Sequence, residues 1–208
     1  LYTSGSTGTP KGVCLKQSAM ISTAYNISKL IMRQFENKEV DTVLILLPLA
    51  HVYMRNMVYA GMFNCSKFCF SSSDLLSSFQ QVRPTFLIVV PRLLQKIYSL
   101  LKSKFQDLDQ FEADLQNYYV KYLEANPNYQ TLEQMPAYMP QKHFQFSNPT
   151  SDAIQKVFGG KVRSITVGAA PMNKKLSQFY AIALNCYMME GYGMSETCGA
   201  VVCNNLLE

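Results

Sequence analysis

The chain has no Cys-x-x-Cys pair and only two histidines. The spacings Cys65/Cys69 and Cys198/Cys203 are both wider than a zinc knuckle uses, and His51 and His143 lie far from either pair in sequence. A small zinc-binding module is therefore excluded. No cluster of lysines and arginines is long enough to act as a nucleic-acid patch, so no nucleic-acid partner is expected. The strongest apolar run, residues 43–50, is interrupted by Pro48, and it is far shorter than the ~20 residues a membrane span needs. No signal peptide, initiator Met or internal repeat is visible. Neither end has a capping or tail composition, so the chain is expected to be an internal piece of a longer protein.

What is present is an ordinary globular composition, with 48% hydrophobic and 16% charged residues over 208 positions. That is one large domain or two small ones, able to bury roughly 70% of the unfolded surface. The formal charge of +5 suits an anionic ligand without identifying one. A chain of this size needs no disulfide staples, so the six cysteines read as reduced, mostly buried thiols of an intracellular protein.

Buried-strand and helix patterns alternate along the chain. Residues 42–47 read Thr-Val-Leu-Ile-Leu-Leu and 86–90 read Phe-Leu-Ile-Val-Val. Both are short continuous apolar runs of the kind that fill the middle of a parallel sheet. Residues 66–70, 164–167 and 186–189 complete the set. Pro91 is placed to open a helix through Leu101, and Ser18 to cap one running to about Phe35, with Ile21, Tyr25, Ile27, Leu30 and Ile31 as its apolar stripe. The expected fold class is α/β, predominantly parallel with packing helices, and ligands should then sit in loops beyond the strands' carboxyl ends. Residues 102–149 break the rhythm. Leu108, Phe111, Leu115, Tyr118, Tyr119 and Tyr122 share a helical face, after which Asn126-Pro127-Asn128 and further prolines read as an insertion packed on the surface.

Three strings carry chemistry. The first is Tyr2-Thr3-Ser4-Gly5-Ser6-Thr7-Gly8-Thr9-Pro10-Lys11-Gly12-Val13. Gly5, Gly8 and Gly12 allow positive φ and a close approach to a ligand, and exposed N–H groups in such a turn form a concave anion site. Thr3, Ser4, Ser6 and Thr7 add hydroxyls, and Lys11 a mobile charge. At ~4 Å and an effective dielectric of about 20, one such charge pair is worth on the order of 4 kcal/mol. This is not the Walker loop, because Pro10 precedes Lys11 and Gly12 follows it. A flexible Ser/Gly linker would not require the Pro-Lys-Gly ending.

The second string is Val167-Gly168-Ala169-Ala170-Pro171-Met172, whose small residues leave room for a flat ring beside the backbone; by itself it is also a tight strand-to-helix turn. The third is Glu190-Gly191-Tyr192-Gly193-Met194-Ser195-Glu196-Thr197. There Tyr192 can stack on a base, Ser195 offers a hydroxyl to a phosphate, and Glu196 a hard oxygen for Mg²⁺. Alone, it is equally a Gly-rich turn with a solvated carboxylate.

In this order, the three strings resemble the phosphate loop and the two nucleotide-binding motifs of the adenylate-forming superfamily, which covers acyl-CoA synthetases, luciferases and peptide-synthetase adenylation domains. The resemblance implies that residues 1–208 are part of the large N-terminal AMP-binding domain, with the insertion at about 102–149 and without the C-terminal domain. It implies that Thr3, Ser4, Gly5, Ser6, Thr7, Gly8 and Lys11 hold the polyphosphate, and that Gly168, Ala169, Ala170, Pro171, Tyr192 and Gly193 enclose the adenine. It further implies that Ser195 contacts the α-phosphate, and that Thr3 and Glu196 attend the metal. Lys11, Ser195 and Glu196 would be the catalytic set. Ser195 replaces the family's commoner Thr and keeps the hydroxyl.

Leu47-Pro48-Leu49-Ala50-His51-Val52-Tyr53 and Phe158-Gly159-Gly160-Lys161-Val162-Arg163 are similar to segments of the long-chain fatty acyl-CoA synthetase branch. His51 is then expected at the acyl pocket, unless it is a hydrogen-bonded packing residue. Gly159 has a local role already, as a left-handed cap on the preceding helix. Lys16-Gln17 departs from the hydroxyl-His pair of many relatives. The implied substrates are a fatty acid, ATP with Mg²⁺, and CoA, with the parent in the cytoplasm or on the cytosolic face of a membrane, where peripheral association is conceivable. The family's ribose-gripping acid, hinge and C-terminal lysine fall outside the 208 residues, so the chain as given is expected to be inactive. Other acyl- or aryl-CoA ligases, a peptide-synthetase adenylation domain, a non-catalytic nucleotide binder and a membrane-associated scaffold remain alternatives.

Overall fold

A computed structural model describes residues 1–3, 9–34, 40–72, 74–125 and 148–204. A two-residue hairpin, β1 (Tyr2–Thr3) with β2 (Lys11–Gly12), leads into helix α1 (Gln17–Gln34). The sheet proper has β3 (Thr42–Ile45), β4 (Lys67–Phe70), β5 (Phe86–Val89), β6 (Ser164–Val167), β7 (Tyr187–Met194) and β8 (Gly199–Cys203). Between them lie α2 (Val52–Phe63), α3 (Leu75–Val82), α4 (Pro91–Lys104), α5 (Leu108–Ala125), α6 (Pro149–Val157) and α7 (Lys174–Ala183).

The strand order is β4-β3-β5-β6-β7-β8, with the first five parallel and β8 antiparallel to β7. The chain starts in β3, steps out to β4, then crosses back to β5 and continues the other way, so the winding reverses between β3 and β5. Strand periodicity sorts the core accordingly. Leu44, Leu87, Val89, Ile165 and Met188 face a cluster with α3 to α7, whereas Val43, Ile45, Phe86, Ile88 and Met189 face α1 and α2. Helices therefore cover both faces, and every parallel strand ends at one common edge.

All five expected strands exist, and 164–167 has the expected bounds. The strand expected at 186–189 is longer, because β8 pairs with its extension through Gly191 and Tyr192. The third motif is thus half strand and half turn, where the sequence suggested a loop. Pro91 opens α4 as expected. Ser18, by contrast, lies inside α1 and does not cap it. Ala24, Ser28 and Ile31 form the buried stripe of α1, while Ile21 and Tyr25 are exposed; the α1–α2 packing, not the apolar count, decides which face is covered.

The helical face expected in residues 108–122 is real. Leu108, Phe111, Leu115 and Tyr119 are each at most 3% exposed and join the main core, with Phe111 meeting Phe179 of α7 edge-on. That half of the segment is core-forming; the side chain of Tyr122 and residues 126–147 lie outside the described residues. Gly159 follows α6 at φ 86°, and Gly160 N–H reaches Gln155 O at 2.8 Å, the expected left-handed cap. The six cysteines are free, but Cys14 and Cys65 are exposed and only Cys186 and Cys198 are buried. The expectation of mostly buried thiols is corrected on that point. Among the described residues no helix is long and apolar enough to cross a membrane.

Candidate nucleotide site

Parallel pairing of β6 with β7 puts Val167 opposite Glu190. Residues 168–171 therefore leave β6 at its carboxyl edge, beside the point where β7 runs on through 191–194 into its pairing with β8. Gly168 is buried and Ala169, Ala170 and Pro171 are exposed. Ala169 stands at φ 70°, a left-handed conformation that costs a side-chain-bearing residue on the order of 1 kcal/mol or more and concentrates at functional turns. An exposed backbone held in this shape can present its N–H and C=O groups to the edge of a ring.

A residue given no role in the sequence reading shapes this turn. Tyr53, near the start of α2, donates from its hydroxyl to Thr166 O at 2.9 Å. Its ring fills the space beside Gly168, where an added Cβ would lie 3.1 Å from the ring. Burial pushes the Tyr53 phenol far above its ordinary range, so it stays a neutral donor at any working pH. The signal was available: Tyr53 is two residues after His51, in a segment already singled out.

His51 begins α2 in an extended conformation, with no side-chain cap bond. Its side chain is exposed and has no hydrogen-bond partner among the described residues, so it is not the packed histidine of the alternative reading. Through Tyr53 it is tied to the Gly168 turn, two strands away.

The third motif is built by a crossing of β7 and β8. A Cβ on Gly193 would collide with Gly199 O, so only glycine permits that approach. The turn 195–198 is closed by Cys198 N–H on Ser195 O at 3.0 Å. The hydroxyl of Thr197 braces it, accepting from Met194 N at 3.1 Å and reaching Gly199 O at 2.8 Å. Asn56 of α2 donates to Cys198 O, clamping the far side. Thr197 and Asn56 were missed as site builders; Thr197 closed the quoted motif, but nothing in sequence links residue 56 to residue 198. On this frame Tyr192 is 66% exposed, Ser195 is half-buried and Glu196 exposed, and none of the three side chains is committed to a partner among the described residues.

Glu190, at the end of the buried part of β7, was given no role. Burial raises its carboxyl pKa, opposed by Ser177 and Lys174 at the start of α7. Its backbone is fixed by Asn204, whose side chain accepts from Glu190 N at 2.7 Å.

In the hairpin, Thr3 pairs directly with Lys11 and Tyr2 with Gly12. Lys11 is exposed and Thr3 half-buried. Gly12 is extended in β2 and not at positive φ, contrary to expectation, because the antiparallel register needs it straight. Ser4, Gly5, Ser6, Thr7 and Gly8 lie outside the described residues. The structure thus joins the turn at 168–171, Tyr192, Ser195 and Glu196 on one edge and joins Thr3 to Lys11. Among the described residues no hydrogen bond or ion pair links those two groups; residues 13–16 tether the hairpin to α1, which packs on α2 and reaches β8.

The donor set for a metal is small. Among the described residues no three of His, Cys, Asp or Glu gather to hold an ion. A single exposed Glu196 fits Mg²⁺ all the same, since that ion takes one or two protein oxygens and completes its shell with water and substrate phosphates.

An open, doubly wound sheet with a strained small-residue turn beside a Gly-Tyr-Gly hairpin at its carboxyl edge defines a nucleotide-binding α/β domain. The chain belongs to the AMP-binding enzyme family, whose model matches residues 1–208. Long chain acyl-CoA synthetase 3 of Arabidopsis thaliana is 33% identical over 96% of this chain, which covers 30% of that protein. Long-chain-fatty-acid--CoA ligase 5 of Rattus norvegicus is 28% identical over 94% of the chain and 28% of the relative. The chain therefore spans about three tenths of the relatives it matches. Among solved structures, the N-terminal domain of FACL13 from Mycobacterium tuberculosis superposes with TM-score 0.60 at 19% identity, over 98% of this chain and 38% of that one. The A domain of carboxylic acid reductase from Segniliparus rugosus, in complex with AMP and a carboxylic acid, gives 0.60 at 23%, over 93% and 27%. At these identities the likeness establishes the fold.

Proposed function

We propose that the protein containing this chain activates a long-chain fatty acid with ATP, forming an acyl-adenylate and then an acyl-CoA. The observation that carries the reading is that residues 168–171 leave β6 beside the β7–β8 extension and turn of residues 191–197, with uncommitted Tyr192, Ser195 and Glu196 at its rim. The names of the relatives support the long-chain assignment.

A fatty acid carboxylate is ionised at neutral pH and needs no general base. The obstacle is an anion attacking a polyanion in line, and the remedy is positioning with charge neutralisation. In this reading Gly168, Ala169, Ala170 and Pro171 present backbone groups to the adenine edge while Tyr192 covers its face. Ser195 donates to the α-phosphate, and Lys11 offsets charge on the departing pyrophosphate. Thr3 and Glu196 would hold Mg²⁺; when bound it supplies further neutralisation of the phosphates. His51, exposed at the start of α2, would face the fatty acid carboxylate. CoA thiol attack on the mixed anhydride then releases AMP. MenE of Bacillus subtilis, which shares this fold, has been solved with ATP and magnesium ion, which supports this choice of ligands.

The same reading places the parent in the cytoplasm or on the cytosolic face of a membrane, in keeping with six free cysteines. It takes residues 1–208 as a partial adenylation domain that releases no pyrophosphate from ATP and palmitate by itself. ATP–pyrophosphate exchange by the full-length parent, over carboxylates of graded length, tests the proposal. Exchange is expected to peak at long chains. A peak at short or aromatic acids assigns another ligase branch, and ATP binding without exchange for any acid overturns the enzymatic reading.

A further inference from the structure

The segment Phe158-Gly159-Gly160-Lys161-Val162-Arg163 takes no part in the adenylation chemistry proposed above, and it ends at the other edge of the sheet. Lys67 opens β4, Arg83 is the C-cap of α3, and Lys161 and Arg163 lie between α6 and β6. Because β4, β3, β5 and β6 are parallel neighbours, the residues that enter these strands meet at one place. With Thr42 and Thr85, the four cations line a single cleft of about 640 Å³.

The local charge balance is lopsided. Asp41, the carboxylate beside the cleft, accepts from Arg163 Nη2 at 2.7 Å and from Thr85 Oγ1 at 2.8 Å. Four cations less one carboxylate leave +3 from the described side chains. Helices α3 and α6 both end here, and their carbonyl ends oppose this by about −0.5 charge each. Arg83 already serves that purpose, donating from Nε to Gly159 O at 3.0 Å. Lys67 and Lys161 are exposed, and among the described residues their side chains have neither an ion pair nor a hydrogen bond. Two uncommitted lysine ammonium groups match a phosphate monoester, which carries roughly −1.5 to −2 at neutral pH.

We propose that this cleft binds a phosphomonoester group, with Lys67 and Lys161 closing on it and Arg83 and Arg163 as positively charged walls. Four residues of extended chain lie between Arg163 and Gly168, a span of about 17 Å, so a group held here is out of reach of the adenine turn. The group could belong to an anionic lipid headgroup or to a free phosphorylated metabolite. The chemistry is shared.

The test is lysine acylation footprinting of the full-length parent, with excess AMP filling the nucleotide loops. One arm compares inorganic phosphate with sodium chloride at equal ionic strength. The other compares phosphatidylcholine vesicles with and without phosphatidic acid. Labelling of Lys67 and Lys161 should fall about threefold or more once the probe exceeds its dissociation constant, while exposed Lys96 on α4 stays unchanged. Protection by inorganic phosphate assigns a free ligand; protection only by phosphatidic acid vesicles assigns a headgroup. Equal protection by chloride, by phosphatidylcholine alone, or by nothing overturns the proposal. Lys67→Gln with Lys161→Gln, both at exposed positions, should lose whichever response the native protein shows and keep its ATP–pyrophosphate exchange. A double variant that responds undiminished also overturns it. The footprint itself does not depend on adenylation, so failure here is separate from failure of the proposed function.

Discussion

The two edges of one parallel sheet do opposite jobs with opposite materials. At the carboxyl edge the walls are backbone and small residues: Gly168, Ala169 at φ 70° and the Gly193–Gly199 crossing, braced from behind by Tyr53 and Asn56 of α2. At the amino edge the walls are long cationic side chains around the Asp41–Thr85–Arg163 network. In the proposed function, small residues would bring the backbone close to a flat base and a phosphate chain, where position matters most. Long flexible cations supply charge with little geometric demand. Under the two proposals, recognition by shape and recognition by charge are thus set a strand's length apart.

The largest effect should come from the carboxyl edge. In the full-length parent, Glu196→Gln should lower adenylation on the order of 100-fold by weakening the metal's hold on the phosphates; ATP–pyrophosphate exchange at low Mg²⁺ within a few-fold of normal would remove Glu196 from the site. At the amino edge the expected loss is one of stability. Asp41→Ala leaves Arg163 and Thr85 without their shared acceptor and should cost about 1–2 kcal/mol by urea denaturation, the pair being half-buried. Exchange per folded molecule should not change, and a parallel fall would show the edges to be coupled.

Tyr192→Ala should raise the ATP requirement roughly 10-fold, as expected for one lost base stack, and leave the fatty acid requirement alone; equal shifts in both count against stacking. Tyr53→Phe keeps the ring against Gly168 and deletes only the bond to Thr166 O, so about 1 kcal/mol of stability should go, readable as a lowered melting temperature. The smallest effect concerns Glu190. Its carboxyl pKa is raised in the folded state, so the folded chain holds a proton that the unfolded chain has released. Stability should therefore fall as pH rises from the ordinary value of 4.5 through the raised one. Glu190→Gln should flatten that stretch of the melting-temperature profile; an unchanged slope would trace the dependence to another group.

Much of the carboxyl edge was legible because it is written in contiguous strings. Residues 164–171 and 186–197 each contain a strand and the turn after it, and a small-residue or Gly-Tyr-Gly run following an apolar strand marks a loop that approaches a ligand. The limits of that reading are equally physical. The extension of β7 came from its pairing with β8, a partner that 190–197 do not reveal. The burial of Leu108, Phe111, Leu115 and Tyr119 was mistaken for surface packing because periodicity shows that a face is apolar and not what covers it.

Taken by itself, the sequence determined the alternation of elements, the α/β class and the family to which its three strings point, since each depends on neighbours in the chain. Only the tertiary structure decided that Tyr53 lies beside Gly168, that Asn56 clamps Cys198, and that Lys67, Arg83, Lys161 and Arg163 share one cleft. Those groupings follow from strand order. Which strand becomes whose neighbour is set by the burial of both sheet faces at once, a property of the folded whole that no local string contains.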